Sequence, residues 1–178
     1  MIKRIAEREL NTRFGLFTEV LYYDGQAESI ALVMGDVAGG SDVLCRIHSA
    51  CISGHVFNSV ECTCAEEMAA AQSAIQLNGK GVIIYLDQEG KGNGHLALIE
   101  SIPFKKAGMS QADAYVKAGY RSDARSYRPA AAILEELNII SVNLLTSNPA
   151  KAEELRRDGI AITSTVELDL DAQKHFDK

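Results

Sequence analysis

Three cysteines stand close together in this chain: Cys51, ten residues later Cys62, and one residue further Cys64. Three thiolates can grip one Zn²⁺ and leave the fourth corner of its tetrahedron open, the arrangement a catalytic zinc uses to hold water. The other reading is a set of reduced core cysteines, which are common apolar residues. The spacing favours the metal, because clustered cysteines in non-secreted chains commonly serve metals or catalysis. Cys45 lies six residues earlier in an apolar run and reads as a core thiol. Were it to reach the ion, the site would be closed and structural.

Other residues could act beside such a centre. Asp87 to Gly94 form a polar, glycine-rich stretch after an apolar run, where open α/β sheets place ligands. Within it Glu89 can hold a base or move a proton, Gly90 allows close backbone approach, and Lys91 can meet a phosphate; the plainer reading is a solvated turn. Thr146 to Lys151 follow a second apolar run and open a helix, whose first amides favour an anion. Asn148-Pro149 there also fit an ordinary helix cap. Asp123 and Arg125 read by themselves as a surface ion pair. His48 reads as a core histidine or, through its closeness to Cys51, as a group lining the metal pocket. His55, His95 and His175 have no such context and read as surface.

The elements that must position these residues follow from periodicity. Residues 14–23 and 29–37, broken at Asp24-Gly25, predict an antiparallel β pair. Val43 to His48 predict a strand on which Arg46 and His48 share one face. Residues 64–77 are rich in helix formers, and Gly81 to Leu86 predict a strand buried on both sides. Helical stretches are predicted near 96–101 and 110–118, then over 130–137. A strand is predicted over 141–146, a helix over 150–157 and a last strand over 160–162. The expected fold is α/β, a mixed sheet flanked by helices with antiparallel hairpins near the N-terminus, forming one domain over residues 1–178. The 178-residue chain carries a net charge of −6 and is 47% hydrophobic. That balance argues against disorder and against a broad nucleic-acid or anionic-membrane surface. No apolar run reaches bilayer length, and no secretory h-region is visible at the start, so a reduced, cytoplasmic setting is expected.

Taken in order, these motifs resemble GTP cyclohydrolase II over residues 1–165. The resemblance rests on Arg46-Ile47-His48-Ser49-Ala50-Cys51, Ser53-Gly54 and Glu61-Cys62-Thr63-Cys64, against the family pattern Arg-x-His-Ser-Glu-Cys, Thr/Ser-Gly and Cys-Asp-Cys. Tyr85, Gln88-Glu89-Gly90, Gly94, Gly119-Tyr120, Asp123, Arg125 and Leu144 to Lys151 extend it. It implies a zinc held by Cys51, Cys62 and Cys64 that makes hydroxide available at neutral pH for attack on carbon 8 of GTP. Ring opening and a second hydrolysis would then release formate. It further implies that Arg125 takes the α-phosphate as pyrophosphate leaves and that Asp123 accepts a proton. Arg46, Ile47, His48, Ser49, Glu89, Gly90, Lys91, Thr146 and Lys151 match nucleotide-contacting positions, and Glu67 stands where the family has glutamine. A homodimer is implied, and Mg²⁺ can accompany the triphosphate.

The departures are specific. The family glutamate before the first cysteine is Ala50, the arginine of Glu-Gly-Arg is Lys91, the acidic residue between Asp123 and Arg125 is Ala124, and the tyrosine that helps complete hydrolysis is Ile102. Tyr115, Tyr120 and Tyr127 are near in sequence, but none has the matching spacing. The family's C-terminal tail is missing apart from a faint echo in 175–178. Three readings stay open: a GTP cyclohydrolase II with substitute contacts; a divergent cyclohydrolase acting on another nucleotide or stopping at the formamide; and a non-catalytic, zinc-containing nucleotide-binding protein. A carboxylate lost at Ala50 and one gained at Glu67 bear on how a guanine edge is recognised.

Overall fold

Val82, Ile84 and Leu86 face one hydrophobic cluster and Ile83 the other, so this short apolar run is a strand covered on both sides. A computed structural model describes residues 1–171 and places that strand inside a seven-stranded sheet. The elements are β1 (Lys3–Thr12), β2 (Gly15–Tyr23), β3 (Glu28–Met34), β4 (Val43–Ser49), α1 (Ile52–His55), α2 (Cys64–Asn78), β5 (Gly81–Leu86), α3 (His95–Lys106), α4 (Gln111–Lys117), α5 (Arg128–Glu136), β6 (Ser141–Leu145), α6 (Pro149–Arg157) and β7 (Ala161–Val166). The sheet order is β1-β2-β3-β5-β4-β6-β7. The β1/β2, β2/β3 and β3/β5 pairs are antiparallel, and β5/β4, β4/β6 and β6/β7 are parallel. The fold is therefore α/β with a mixed sheet and an antiparallel N-terminal half, as the sequence predicts.

Strand β1 is the strand that periodicity does not reveal. Eight of its ten residues are exposed and the other two half-buried, so charged and apolar positions do not alternate against a core. It is set by pairing instead, in register with β2 from Lys3↔Tyr23 to Thr12↔Gly15, with Arg8 and Glu19 joined across the pair. The predicted last strand also runs further, to Val166, beside β6.

Helices cover both faces. On one side α5 and α6 bring Ala130, Ile133, Leu134, Ala152 and Leu155 against Tyr22, Val43, Cys45, Ile47 and Leu144. On the other, α2 brings Ala69, Ala71 and Ile75 against Phe14, Phe17 and Ile83. Helix α2 ends on Gly79, whose φ of 72° is the left-handed cap that glycine supplies without strain. No helix among the described residues is long and apolar enough to cross a membrane.

Two consequences fix the site. Alternation along β4 sends Cys45 and Ile47 into the α5/α6 core and Arg46 and His48 to the opposite face. And the parallel strands β4, β5 and β6 run the same way, β4 and β5 ending side by side at Ser49 and Leu86 and β6 ending at Leu145, about level with Arg46. The Cys51 segment, the 87–94 loop and the Thr146 segment therefore leave the sheet at the same edge, the usual ligand position in such folds.

Candidate metal and nucleotide site

The sulfurs of Cys51, Cys62 and Cys64 all lie within 4.8 Å of one another, and those of Cys51 and Cys62 are 3.7 Å apart. Sulfurs about 2.3 Å from a tetrahedral zinc would be ~3.8 Å apart, so the trio fits such an ion. Gly54 makes room for it. A Cβ there would stand 2.9 Å from Cys62 Sγ and 3.2 Å from Cys64 Cβ. Burial raises the Cys64 thiol, and the neighbouring sulfurs raise it further; burial also raises Cys51. Thiols crowded this way keep their protons unless a cation offsets the charge. Cys45 is absent from the trio, fully buried, and pushed up to about 12 by burial. It is the core thiol that its apolar surroundings predict.

The trio opens into a cavity of about 760 Å³. Arg46, His48, Ser49, Glu67, Glu89, Gly90, Lys91, Arg125, Thr146 and Lys151 line it, so nearly all the nucleotide-contact candidates meet there. Ile47 and Asp123 stand outside the lining. The Ile47 side chain lies in the core, and its carbonyl meets the site indirectly by accepting from Lys151 Nζ at 2.9 Å. Asp123 grips Arg125, whose Nε donates to its two carboxylate oxygens at 3.0 and 3.2 Å. That pairing fixes the direction of the guanidinium at the cavity wall.

The 87–94 loop is held from two sides. Glu89 Oε2 accepts from the amide of Ile52 at 2.7 Å, tying the loop to the start of α1 beside Cys51. Gln88 donates to Ser126 O at 2.7 Å and accepts from Ser126 N at 2.9 Å. Ala124 N donates to Lys91 O at 2.9 Å, and Gly92 admits this approach because a Cβ there would stand 2.7 Å from the Ala124 carbonyl carbon. The loop and the Asp123–Ser126 segment thus form one rigid wall.

The histidines differ from expectation. His55, read as surface, packs against His48, with their Nε2 atoms 2.9 Å apart, and its Nε2 lies 3.2 Å from Cys64 O. Burial, then the Arg46 charge, holds His48 down at about 3, so its ring is neutral. His95 is exposed at the start of α3, and His175 lies outside the described residues.

Arg46 is buried. It donates to Leu145 O at 2.9 Å and is paired with Glu67, whose other oxygen accepts from Thr63 Oγ1 at 3.1 Å. Lys151 is only 5% exposed; burial, then Arg46 and Arg125, lowers it to about 7. An unfolded lysine keeps its proton to about 10.5. Between those values the unfolded chain binds more protons, so this group makes stability rise with pH. The raised Cys45 and Tyr115 oppose that trend only above their ordinary values of 9.0 and 10.0. Between pH 7 and 9 the melting temperature of the wild type should therefore climb relative to Lys151→Met; parallel curves for the two proteins would refute the assignment.

Comparison with known proteins adds the deciding observation. The sequence model of GTP cyclohydrolase II matches residues 3–167. This chain belongs to the GTP cyclohydrolase II family. It is therefore a hydrolase of that family. It is 38% identical to a GTP cyclohydrolase-2 of Actinobacillus succinogenes, over 98% of this chain and 81% of that protein. It is also 38% identical to one of Neisseria meningitidis, over 94% and 86%. A riboflavin biosynthesis protein RibBA of Rhodococcus erythropolis is 42% identical over 96% of this chain, which spans only 42% of that longer protein. Among solved structures, a two-domain 3,4-dihydroxy-2-butanone 4-phosphate synthase from A. baumannii aligns with a TM-score of 0.46 and 17% identity, over 83% of this chain and 34% of that one.

Within the family frame, the departures gather in one place. Ala50, Glu67, Lys91 and Ile102 all line the cavity, whereas Ala124 contributes only backbone behind Gly92. The cavity also includes residues that motif reading passed over: Leu98, Lys105 and Lys106 of α3, and Gln111 and Tyr115 of α4. They lie on two helices with no phosphate-loop or ligand signature, so only the packing of α3 on α4 reveals them.

Proposed function

We propose that this chain opens the imidazole ring of a purine nucleotide, GTP foremost, by hydrolysis, releasing formate and pyrophosphate in the riboflavin-pathway manner. One observation carries the reading: a three-sulfur trio suited to a metal, with no fourth Cys, His, Asp or Glu ligand among the described residues, faces a cavity walled by Arg125, Lys91 and Lys151. Zinc fits the trio, one per chain, and when bound supplies a Lewis acid that acidifies water near neutral pH. Lys91 and Arg125 supply positive charge for the phosphates, an arriving phosphate favours the protonated form of Lys151 as well, and Mg²⁺ can travel with the triphosphate. Thr146 adds a hydroxyl to the cavity wall just before α6. Asp123 holds the Arg125 guanidinium toward the α-phosphate and stands ready to accept a proton. Glu89, anchored on the Ile52 amide, faces the base. We further propose one domain, a homodimer and a cytoplasmic setting.

Ile102 favours a second reading, in which the product stays at the formamide or the nucleotide differs, because it places an apolar side chain in the cavity wall where the family pattern has a tyrosine. One screen separates the readings. Purified, zinc-loaded protein is incubated with each common purine nucleotide while ultraviolet spectra and formate are followed. GTP loss with stoichiometric formate supports the first reading. Ring opening without formate, or with another nucleotide alone, supports the second. Binding without any reaction would leave a non-catalytic nucleotide-binding protein and end the hydrolase proposal.

A further inference from the structure

Of the tyrosines that follow the 87–94 loop, Tyr115 alone lines the cavity among the described residues. It sits on α4, which packs on α3, and it is 1% exposed. A Cβ placed on Gly90 would be 3.4 Å from Tyr115 Oη, so the hydroxyl reaches the glycine loop itself. After burial, the charges that act most on this phenol are those of Glu89 and then Cys51, ahead of Arg125 and Asp123. The loop it reaches is tied beside Cys51 through Glu89 and the Ile52 amide, so the hydroxyl lies at the end of the cavity nearer the trio. It makes no hydrogen bond to any described residue, whereas the Tyr120 hydroxyl is bonded to Glu100. Burial pushes it up to about 12, so at neutral pH it is a donor that keeps its proton.

We infer that the Tyr115 hydroxyl is a substrate contact, donating a hydrogen bond to an acceptor atom of the purine at the metal end of the cavity. Ile102, in the same cavity wall, has no polar atom to offer. A preorganised donor is worth most where negative charge develops during reaction. The inference rests on the nucleotide reading proposed above.

The test is Tyr115→Phe in the full chain, which keeps the ring and removes one oxygen. Titration calorimetry with GTP should show Kd raised about tenfold, the loss of one buried hydrogen bond. Binding of inorganic tripolyphosphate, which has no base, should stay within twofold. Formate release should fall about 10²-fold, as for loss of a preorganised donor. Tyr120→Phe should match the wild type throughout. An unchanged Kd for GTP, or equal weakening of tripolyphosphate, would overturn the contact. If the wild type binds GTP but releases no formate, the hydrolase reading fails while the two Kd values still decide the role of Tyr115.

Discussion

Cys62→Ser should reduce bound zinc from one per chain to a small fraction and depress turnover at least ~10³-fold, because a hydroxyl is a poor zinc ligand and the water would lose its acidity. That loss corresponds to about 4 kcal/mol of barrier. The fold should survive. Cys62 belongs to neither hydrophobic cluster, and the two cores pack the sheet without it. The melting temperature of the variant should then lie within a few degrees of the metal-free wild type, since a loss of 1 kcal/mol shifts a domain of this size by about 2–4 °C. Metal analysis, thermal unfolding and formate release, measured on the same preparation, check all three statements. A variant that retains one zinc and full turnover would remove the trio from the chemistry.

Glu67→Ala is expected to be the most destabilising single change in the cavity wall. The Arg46 side chain is 8% exposed and that of Glu67 34%. Without the carboxylate the guanidinium keeps Leu145 O, while its Nε already lacks a partner. Breaking a buried pair from one side leaves a charge that nothing compensates. Partial exposure of Glu67 lets water screen some of the cost, so the loss should be about 2–3 kcal/mol, or roughly 5–10 °C in melting temperature. Replacing both partners, as Arg46→Met with Glu67→Leu, should recover most of it, because two apolar chains leave no orphaned charge. Equal melting temperatures for wild type and Glu67→Ala would show that the pair carries no weight. The pair also bears on recognition. Glu67 is the carboxylate gained relative to the family pattern, and both of its oxygens are already engaged by Arg46 and Thr63. A base that uses Glu67 must therefore share an acceptor already occupied.

The sequence carries in plain view the cysteine trio, the buried strands β4, β5 and β6, and the loops that follow them. These are local signals: cysteine spacing, apolar runs of strand length, and glycine or helix-cap residues directly after them. It also determined that Arg46 and His48 share a face, because side chains alternate along any strand. Tertiary structure alone decided what depends on distant partners. Strand β1 exists through its pairing with β2, since its own residues face solvent and carry no periodic signal. His55 left the surface because α1 folds back over His48. Cys45 was turned from the trio by strand parity, and Lys151 was set against the carbonyl of Ile47 by the packing of α6 on the sheet. Tyr115 entered the cavity because α4 stacks on α3, a contact between helices whose sequences name no ligand. Spacing along a chain fixes which neighbours share a face; only closure of the sheet and its helices fixes which strangers share a cavity.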